Sequence, residues 1–322
     1  MHIFSPDLIS NVELDYITIY FTENEMILLE WQYHLTVPAK ITPCSVRHYL
    51  SKYLLIPRYK IYRLRKNQRV LINHRYLPMN YPVHAGDHVD LTFLPSDFRE
   101  PFPNVEPDSA ANVQIAYEDQ DLLVVNKQRG DKTHPNQPGE IGTTLNHVAA
   151  YLQPKHQQPY IVHRLDQQTS GALIIAKNPA VVPILVRLIG EKRIQRTYLA
   201  WCDGLFKKQA GIINQPIGFD PNDQRKRKIN GLHAKRAVTK YRVVKTKGHR
   251  SLVEIRLKTG RTHQIRVHMA HLGHPVTGDP LYNPRTQPYD PMLLHSWKLK
   301  LIRPFYMNVI HVTAPLPDDF KI

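Results

Sequence analysis

Asp166 is the side chain in this sequence that is best placed to do chemistry. It lies in the segment Tyr160–Asn178, between the cationic Arg164 and a glycine turn at Gly171, and no second acid occurs in that segment. A lone carboxylate framed by apolar residues suits a nucleophile. A two-carboxylate glycosidase or a metal centre would need further carboxylates beside it. The structural alternative is that Asp166 caps the turn at Thr169–Gly171 through a local hydrogen bond, as Asp often does.

A second group of residues that can do chemistry lies between Thr259 and Gly273. The spacing of Ile265, Met269 and Leu272 predicts a helix with one apolar face. We expect Thr262 to cap the start of this helix and Gly273 to end it.

Two arginines of this segment are candidate site residues. Arg266 lies in the first turns of the predicted helix and can hold a buried carboxylate ionised and oriented. Arg261 precedes the helix and is free to bind phosphate. For either arginine taken alone, plain surface charge is the simpler interpretation.

The same segment contains a group of histidines that invites a metal hypothesis. His268 and His271 occupy neighbouring helix positions, with His263 and His274 close in sequence. The pattern lacks the H-E-x-x-H spacing of metalloproteases, and no cysteine accompanies it. We therefore predict no metal site, and interpret these histidines as packed or facing RNA.

The charge of the chain indicates a polyanionic partner. With 43 Lys and Arg against 27 Asp and Glu among 322 residues, the formal net charge is +16. No acid occurs between Glu30 and Asp87 or between Asp223 and Glu254, although both stretches are rich in cations. From these stretches we predict an RNA-binding patch of Arg47, Lys52, Arg58, Arg65, Lys66, Arg69, Arg225 and Arg227. The alternative is a solvated basic face.

The first part of the chain is predicted to be a small α+β domain over residues 1–95. Short strands are expected between Tyr16 and Tyr33, and Ser45 is expected to cap an amphipathic helix. A basic helix over Tyr59–Lys66 and strands at Val70–Asn73 and Val83–Phe93 follow. This order resembles the alpha-L RNA-binding module of ribosome-associated proteins. A proline-rich linker is predicted over residues 96–112.

Residues 113–322 are predicted to form the second domain. Strands alternate irregularly with helices, which favours an α+β domain over a repeated βαβ array. Only Cys44 and Cys202 occur, so neither a disulfide framework nor a cysteine zinc site is expected. The segment Met1–Asp7 lacks the basic and apolar regions of a signal peptide, and no apolar run approaches the roughly 18 residues of a membrane span, so we expect neither feature. We expect a cytoplasmic protein.

Three motifs together resemble the RluA-type family of RNA pseudouridine synthases. They are His163–Asp166 with Thr169–Gly171, then Arg196–Ala200, and finally Thr259–His268 with Gly273–Pro280. They occur in the family's order, and the resemblance covers Val113–Ile322. The resemblance implies a mixed, largely antiparallel sheet with flanking helices.

The resemblance also implies a role for each matching residue. Asp166 would be the catalytic carboxylate and Arg266 its partner, while Tyr198 packs on the target base and Arg164 fills the gap left by the flipped nucleotide. We group His163 and Arg261 with Arg164 as residues that contact RNA. The sequence departs from the family after Lys127, where Gln128–Gly130 replaces the usual proline and small residue.

The function expected from the resemblance is isomerisation of specific uridines to pseudouridine in structured RNA, either ribosomal or transfer RNA. Breaking and remaking the bond between base and ribose requires that the base first leave its stack. An isomerisation needs no redox cofactor or metal, so no cofactor is expected, and RNA is the expected partner of a monomeric enzyme. The alternatives are a non-catalytic RNA-binding or ribosome-assembly factor, and a metal-dependent hydrolase that uses the histidines.

Overall fold

Two β-sheets organise the chain in the computed structural model, which describes residues 10–14, 17–22, 25–100 and 103–320. Tyr16, where the first predicted strands begin, lies outside the described residues, as do Pro101 and Phe102 of the predicted linker. The first part of the chain contains strands β1 Ser10–Leu14, β2 Ile17–Thr22, β3 Glu25–Thr36, β4 Cys44–Ser45, β5 Val70–Ile72, β6 Pro82–Val83 and β7 His88–Phe93, and helices α1 Val46–His48 and α2 Arg58–Lys66.

Helix α1 begins where the sequence predicts. The hydroxyl of Ser45 accepts a hydrogen bond from the backbone N–H of His48 at 3.2 Å, which satisfies one of the free donors at the helix start. The chain continues as a π-helix over Tyr49–Tyr53, and Leu50 and Leu54 are fully buried. The apolar spacing therefore does specify the core-facing side of this segment.

The second part of the chain contains the larger sheet. Its strands are β8 Ile115–Glu118, β9 Leu122–Lys127, β10 Tyr160–Ile161, β11 Ser170–Ala176, β12 Gln195–Asp203, β13 Ala210–Asn214, β14 Ile217–Phe219, β15 Arg227–Ile229, β16 Leu232–Lys235, β17 Val238–Lys247, β18 Arg250–Leu257, β19 Leu294–Ile302 and β20 Val309–Thr313, and its helices are α3 Thr144–Leu152, α4 Val182–Gly190 and α5 Gln264–His271.

Both main sheets are largely antiparallel. The first runs β1-β2-β3-β7-β5. The second has ten strands in the order β13-β17-β18-β12-β19-β11-β9-β8, with β10 on β11 and β20 on β19, and β14 to β16 form a separate small sheet. In the large sheet only the short pairing of β11 with β19 is parallel among the described strands. The predicted α+β class with a mixed, largely antiparallel sheet is confirmed.

The parallel contact of β11 with β19 depends on Gly171. Its φ is +105°, and a Cβ atom there would lie 2.3 Å from the backbone oxygen of Ser296. Only glycine fits such an approach at this φ. The turn that carries Asp166 is thereby fixed against β19, in the middle of the large sheet.

The two parts of the chain share a packed, partly polar contact. The Tyr33 hydroxyl on β3 donates to a carboxylate oxygen of Asp121 at 2.8 Å and lies 3.3 Å from the side-chain oxygen of Asn178. Its ring lies 3.9 Å from that of Phe305, centroid to centroid. The predicted linker over residues 96–112 starts against the first sheet, since Asp97 is buried there. The division into two domains stays a prediction.

Helix α4 begins later in the chain than the sequence predicts. The sequence predicts Asn178 as the N-cap, but the helix begins at Val182. The Asn178 side chain accepts from the N–H groups of Ala180 and Val181 and donates to Asp121, so it closes a turn before the helix.

No helix in the described part of the chain is long and apolar enough to cross a membrane.

Candidate active site

A cavity of about 520 Å³ opens beside Asp166. Its walls are the loop His163–Asp166, the strand residues Arg196 and Tyr198, and the segment Thr259–Arg266 that leads into α5. These are the three motifs singled out in the sequence. The size lies in the range of about 300 to 1,000 Å³ that is usual for small-ligand sites.

The Asp166 carboxylate faces this cavity rather than capping the turn. The N–H of Thr169 donates to the backbone oxygen of Asp166 at 2.9 Å, so the turn closes without the side chain. The carboxylate is 22% exposed. Its Oδ2 accepts from Arg266 Nη1 at 3.3 Å and lies 3.9 Å from His263 Nε2. Its Oδ1 has no protein partner among the described residues, which leaves that oxygen accessible to a substrate.

Arg266 is held in place by a second carboxylate that the sequence analysis missed. Asp279 is fully buried and accepts two hydrogen bonds from Arg266, at 2.8 Å to Nε and 2.8 Å to Nη2. Burial acts to lower the pKa of Arg266, but Asp279 and then Asp166 outweigh it and raise the pKa above its usual value. The guanidinium therefore stays charged and fixed next to Asp166. Asp279 belongs to the motif Gly273–Pro280, and this membership was the signal in the sequence that could have identified it.

Tyr198 forms part of the wall on strand β12. The register of β12 against β19 shifts between Thr197 and Tyr198, and such a bulge re-aims a side chain. The side chain is 4% exposed and packs in the apolar cluster that also contains Leu165 and Ile265. A face of an aromatic ring is thus available at the cavity without exposing the ring to bulk water.

Cations surround the mouth of the cavity. Arg164 and Arg261 are exposed, and Arg261 Nε donates to the backbone oxygen of Arg236 at 3.1 Å. Lys192 and Arg196, which sequence analysis did not single out as site residues, also line the cavity. Burial and then the charges of Arg196 and Arg261 lower the pKa of Lys192. None of the four forms an ion pair with a described carboxylate, so the group is suited to an anionic ligand.

His163 lines the cavity, and its ring is bonded to the sheet. Its Nε2 accepts a hydrogen bond from the backbone N–H of Ile174 at 3.0 Å, which ties the Asp166 loop to β11. Burial, with the charge of Arg196 adding to it, lowers the pKa of His163 to about 3. A neutral ring bonded to the sheet positions the loop and offers no charge to RNA.

The other histidines have separate partners. His263 Nδ1 is 2.8 Å from the Tyr282 hydroxyl, and the buried His268 is held by Thr239 and the backbone of Gln215. His274 Nδ1 bonds the backbone oxygen of Asp203 at 3.0 Å. Within the described residues no group of three or more His, Cys, Asp or Glu is arranged to hold a metal.

The start of α5 also differs from prediction, since His263 rather than Thr262 is the N-cap, with φ +56° and no side-chain cap.

The loop after Lys127 is connected by hydrogen bonds to the backbone next to Asp166. The buried Lys127 ammonium donates to the backbone oxygens of Gln128 at 2.7 Å, Asp131 at 2.6 Å and Gln167 at 3.0 Å. Burial lowers its pKa to about 8, while the charges of Asp131 and Asp166 act in the opposite direction. Lys127 thus joins the unusual loop to the residue that follows Asp166.

Six of the eight residues of the predicted RNA-binding patch are exposed. Arg47, Lys52, Arg58, Arg65 and Lys66 are exposed, as is Arg225, while Arg227 is half-buried over the Phe219 ring. Arg225 also pairs with Asp223. Arg69 does not match the prediction, because Asp97 accepts both of its terminal nitrogens, at 2.6 and 2.8 Å, in a largely buried pair. Its charge is therefore used within the fold.

A buried histidine next to this site predicts a loss of stability in acid. His295 is fully buried on β19 beside Ser170, and burial lowers its pKa to about 4. Between about pH 6.5 and 4 the unfolded chain binds a proton that the folded chain does not, so the free energy of unfolding falls as the pH falls. One such proton corresponds to about 1.4 kcal/mol per pH unit.

Urea unfolding of the parent and of His295→Gln at several pH values between about 6.5 and 4 tests this. The variant is expected to show a shallower slope of unfolding free energy against pH. The same substitution at the exposed His311 is the control, because it removes no buried imidazole. Equal slopes for the parent and His295→Gln would contradict the assignment.

Two protein families match this chain. The RNA pseudouridylate synthase family matches residues 121–271, which contain Asp166, Tyr198 and Arg266. The RluD ribosomal pseudouridine synthase N-terminal domain matches residues 33–89, which contain helices α1 and α2.

Curated relatives match over most of their length. An uncharacterised RNA pseudouridine synthase of Bacillus subtilis is 37% identical over 259 residues, covering 79% of this chain and 84% of the relative. A ribosomal large subunit pseudouridine synthase D of Haemophilus influenzae is 32% identical over 313 residues, covering 89% and 93%. The solved human RNA pseudouridylate synthase domain containing 1 matches with a TM-score of 0.55 and 30% identity, covering 66% and 87%. The chain belongs to the RNA pseudouridine synthase family.

Proposed function

We propose that Asp166 is the catalytic carboxylate with which this isomerase converts specific uridines in structured RNA to pseudouridine. The observation that carries this proposal is the accessible Asp166 carboxylate, held by the fixed Arg266 in a cavity that also offers the Tyr198 ring and a cationic mouth. Each part corresponds to a need of the reaction: a carboxylate for the sugar, a ring for the base and cations for the phosphates.

The reaction breaks the N1–C1′ bond of uridine and forms a C5–C1′ bond. The proton on C5 is lost and N1 gains one, so the atoms balance without an oxidant or a reductant. The accessible Asp166 Oδ1 can act in two ways: it can attack C1′ of the ribose, or it can remove a proton from the sugar to release the base. In both cases Arg266 keeps the carboxylate ionised and oriented through Oδ2.

The base must leave its stack before Asp166 can reach the sugar. The exposed Arg164 precedes Asp166 by two residues and can occupy the vacated stack with its planar guanidinium. The ring of Tyr198 can hold the detached uracil while it turns. Lys192, Arg196 and Arg261 are available for the phosphates on either side of the target.

Ribosomal RNA is the substrate class that we favour. Relatives that match over most of the chain bear the name ribosomal large subunit pseudouridine synthase D, and the N-terminal match is to the corresponding domain. Transfer RNA is the other class. The exposed cations of α1, α2 and the segment between them would bind the phosphates of a structured RNA without reading its sequence. We place the enzyme in the cytoplasm.

A tritium-release assay on RNA labelled at C5 of uridine tests the proposal. Release of tritium with ribosomal RNA is the expected result, and release only with transfer RNA would redirect the substrate assignment. Mapping pseudouridines in total RNA from a deletion strain then identifies the positions. If the protein bound RNA but released no tritium from any RNA fraction, the chain would be a binding or assembly factor. Loss of release on adding a chelator would favour metal-dependent chemistry; we expect no loss.

Replacing Tyr198 by Ala is expected to lower kcat/KM for pseudouridine formation by about 5- to 150-fold, which corresponds to a stacking contact of about 1 to 3 kcal/mol. Tyr198→Phe is the matched control, because it keeps the ring face and is expected to keep most of the activity. Truncating a buried ring also costs stability, so circular dichroism must show that the Ala variant is folded at the assay temperature. An Ala variant that is as active as the Phe variant would remove Tyr198 from the site.

A further inference from the structure

A second cavity, of about 390 Å³, lies where the N-terminal sheet meets the catalytic part of the chain. One side is formed by the end of β3 and by the segment Tyr49–Leu54, and the opposite side by Phe305–Met307, which connects β19 to β20. The volume again lies in the range of small-ligand sites, of about 300 to 1,000 Å³. The proposed reaction makes no use of this cavity, and Lys52 is the one residue of the predicted RNA-binding patch that lines it.

The walls of this cavity are aromatic and apolar. The rings of Tyr49 and Tyr53 lie 5.9 Å apart, and Tyr53 is only half-buried, so part of its surface faces the open space. Phe305 closes the other side. Walls of this kind favour a flat, uncharged group such as a nucleobase, since stacking on an aromatic ring is tolerant of base identity.

The mouth of this cavity is cationic. Lys40, Lys52 and Arg193 are exposed and line it, and none of the described residues that line the cavity is acidic. Arg193 has a long ion pair, of 3.9 Å, with Glu191, whose other oxygen accepts from Arg187 at 2.7 Å. An apolar interior with cations at the mouth matches a nucleotide, whose base is flat and whose phosphates are anionic.

Two adjacent residues of the chain line the second cavity and the candidate active site. Lys192 lines the cavity that contains Asp166, and the next residue, Arg193, lines the second cavity. Neighbouring Cα atoms are about 3.8 Å apart, which is close to the rise of about 3.4 Å per phosphate along one strand of a duplex. A strand bound at Lys192 therefore passes within reach of Arg193.

The loop that closes the second cavity is held in an unfavourable backbone conformation. Phe305 has φ +60° and Met307 has φ +56°, a region that non-glycine residues rarely adopt. Such residues are found preferentially at functional sites. The strain at this wall agrees with a ligand site.

We propose that the second cavity binds an unstacked nucleotide of the same RNA whose target uridine enters the active site. Its base lies against Tyr53 and Phe305, and its phosphates contact Lys40, Lys52 and Arg193. The inference rests on the proposed function, because RNA is taken as the substrate. In this arrangement both parts of the chain hold one strand, and the N-terminal part helps to select where the catalytic part acts.

Photocrosslinking tests this site without turnover. The probe is an oligouridylate of about 12 nucleotides that contains 4-thiouridine, a length within the usual span of single-strand sites. It is crosslinked to the full chain carrying Asp166→Asn, and the crosslinked peptides are identified by mass spectrometry. We expect crosslinks both in the segment that contains Tyr53 and at the active-site cavity. Because no pseudouridine needs to form, a failure of the proposed reaction leaves this readout intact.

Two variants change the second cavity and one serves as a control. Thr36→Trp, at an exposed lining residue, fills the space and should remove the Tyr53 crosslink. Lys52→Ala with Arg193→Ala should weaken binding and reduce the salt slope of log Kd by about 0.7 for each cation. Lys207→Ala with Lys208→Ala removes the same charge from an exposed turn that lines neither cavity and should change the slope less.

Several outcomes would overturn the proposal. One is the absence of crosslinks in the segment that contains Tyr53 while the active-site crosslink forms. Another is a Thr36→Trp variant that crosslinks as the parent does. A third is a Tyr53 crosslink that uridine 5′-monophosphate removes as effectively as an unlabelled oligouridylate of equal nucleotide concentration, because the cavity would then be a site for free nucleotides.

Discussion

Replacement of Asp166 by Asn is expected to abolish pseudouridine formation, with a loss on the order of 10⁴-fold or more, since the reacting carboxylate is removed and neither nucleophile nor base remains. The amide has the same shape and can still accept from Arg266, which stays anchored by Asp279. We therefore expect the free energy of unfolding to change by less than about 1 kcal/mol. Single-turnover tritium release with excess enzyme measures the chemical step directly.

The binding of RNA separates this prediction from a general loss of structure. Asp166→Asn leaves Arg164, Lys192, Arg196 and Arg261 in place, so its affinity for RNA should equal or exceed that of the parent. Asp290→Asn, at an exposed loop position, is the control and should react at the parent rate. A variant of Asp166 that still forms pseudouridine at the parent rate would show that another group carries the reaction.

The contact between Asp166 and Arg266 was predictable although the two residues lie far apart in the sequence. Asp166 and Arg266 are separated by 100 positions, and their pairing was expected from the resemblance to the family, because a turn cap and a surface charge were open interpretations of the two residues taken alone. The expected contact between them is present. The order of the motifs predicted the contact, whereas the packing that holds the turn in place, with Gly171 against the backbone of Ser296, is between segments distant in sequence.

Other features could not be predicted because they depend on packing between distant segments. Arg69 looks like its exposed neighbours in the sequence, and only the folded chain brings the buried Asp97 to it. His163 lies in the motif beside Arg164, but the approach of β11 turns its ring towards the Ile174 N–H. The second cavity requires Phe305 to meet β3 across more than half of the chain. Sequence spacing carries no information about such contacts.

Replacement of Asp279 by Ala is the second change with a large expected effect. It leaves the Arg266 guanidinium, whose side chain is 5% exposed, without its bidentate partner. Removing one member of a buried ion pair costs about 3 to 5 kcal/mol, and here the desolvated guanidinium would keep only its longer contact with Asp166, at 3.3 Å. The guanidinium is also released from the direction that presents Nη1 to Asp166. A misplacement of about 1 Å at a reacting group can cost on the order of 10²-fold in rate.

Asp97→Ala is the matched control for Asp279→Ala, because it removes the carboxylate from the other buried bidentate pair, that of Arg69. Urea unfolding should show a comparable loss of stability for both variants. Single-turnover rates at saturating RNA should fall only for Asp279→Ala, since the Asp97 carboxylate is bonded to Arg69 and to the backbone of Leu94, which do not line the active-site cavity. Equal rates for the two folded variants would mean that Asp279 stabilises the fold without positioning Arg266. A rate that falls only for Asp279→Ala would instead show that the orientation of Asp166 depends on a carboxylate that never touches the substrate.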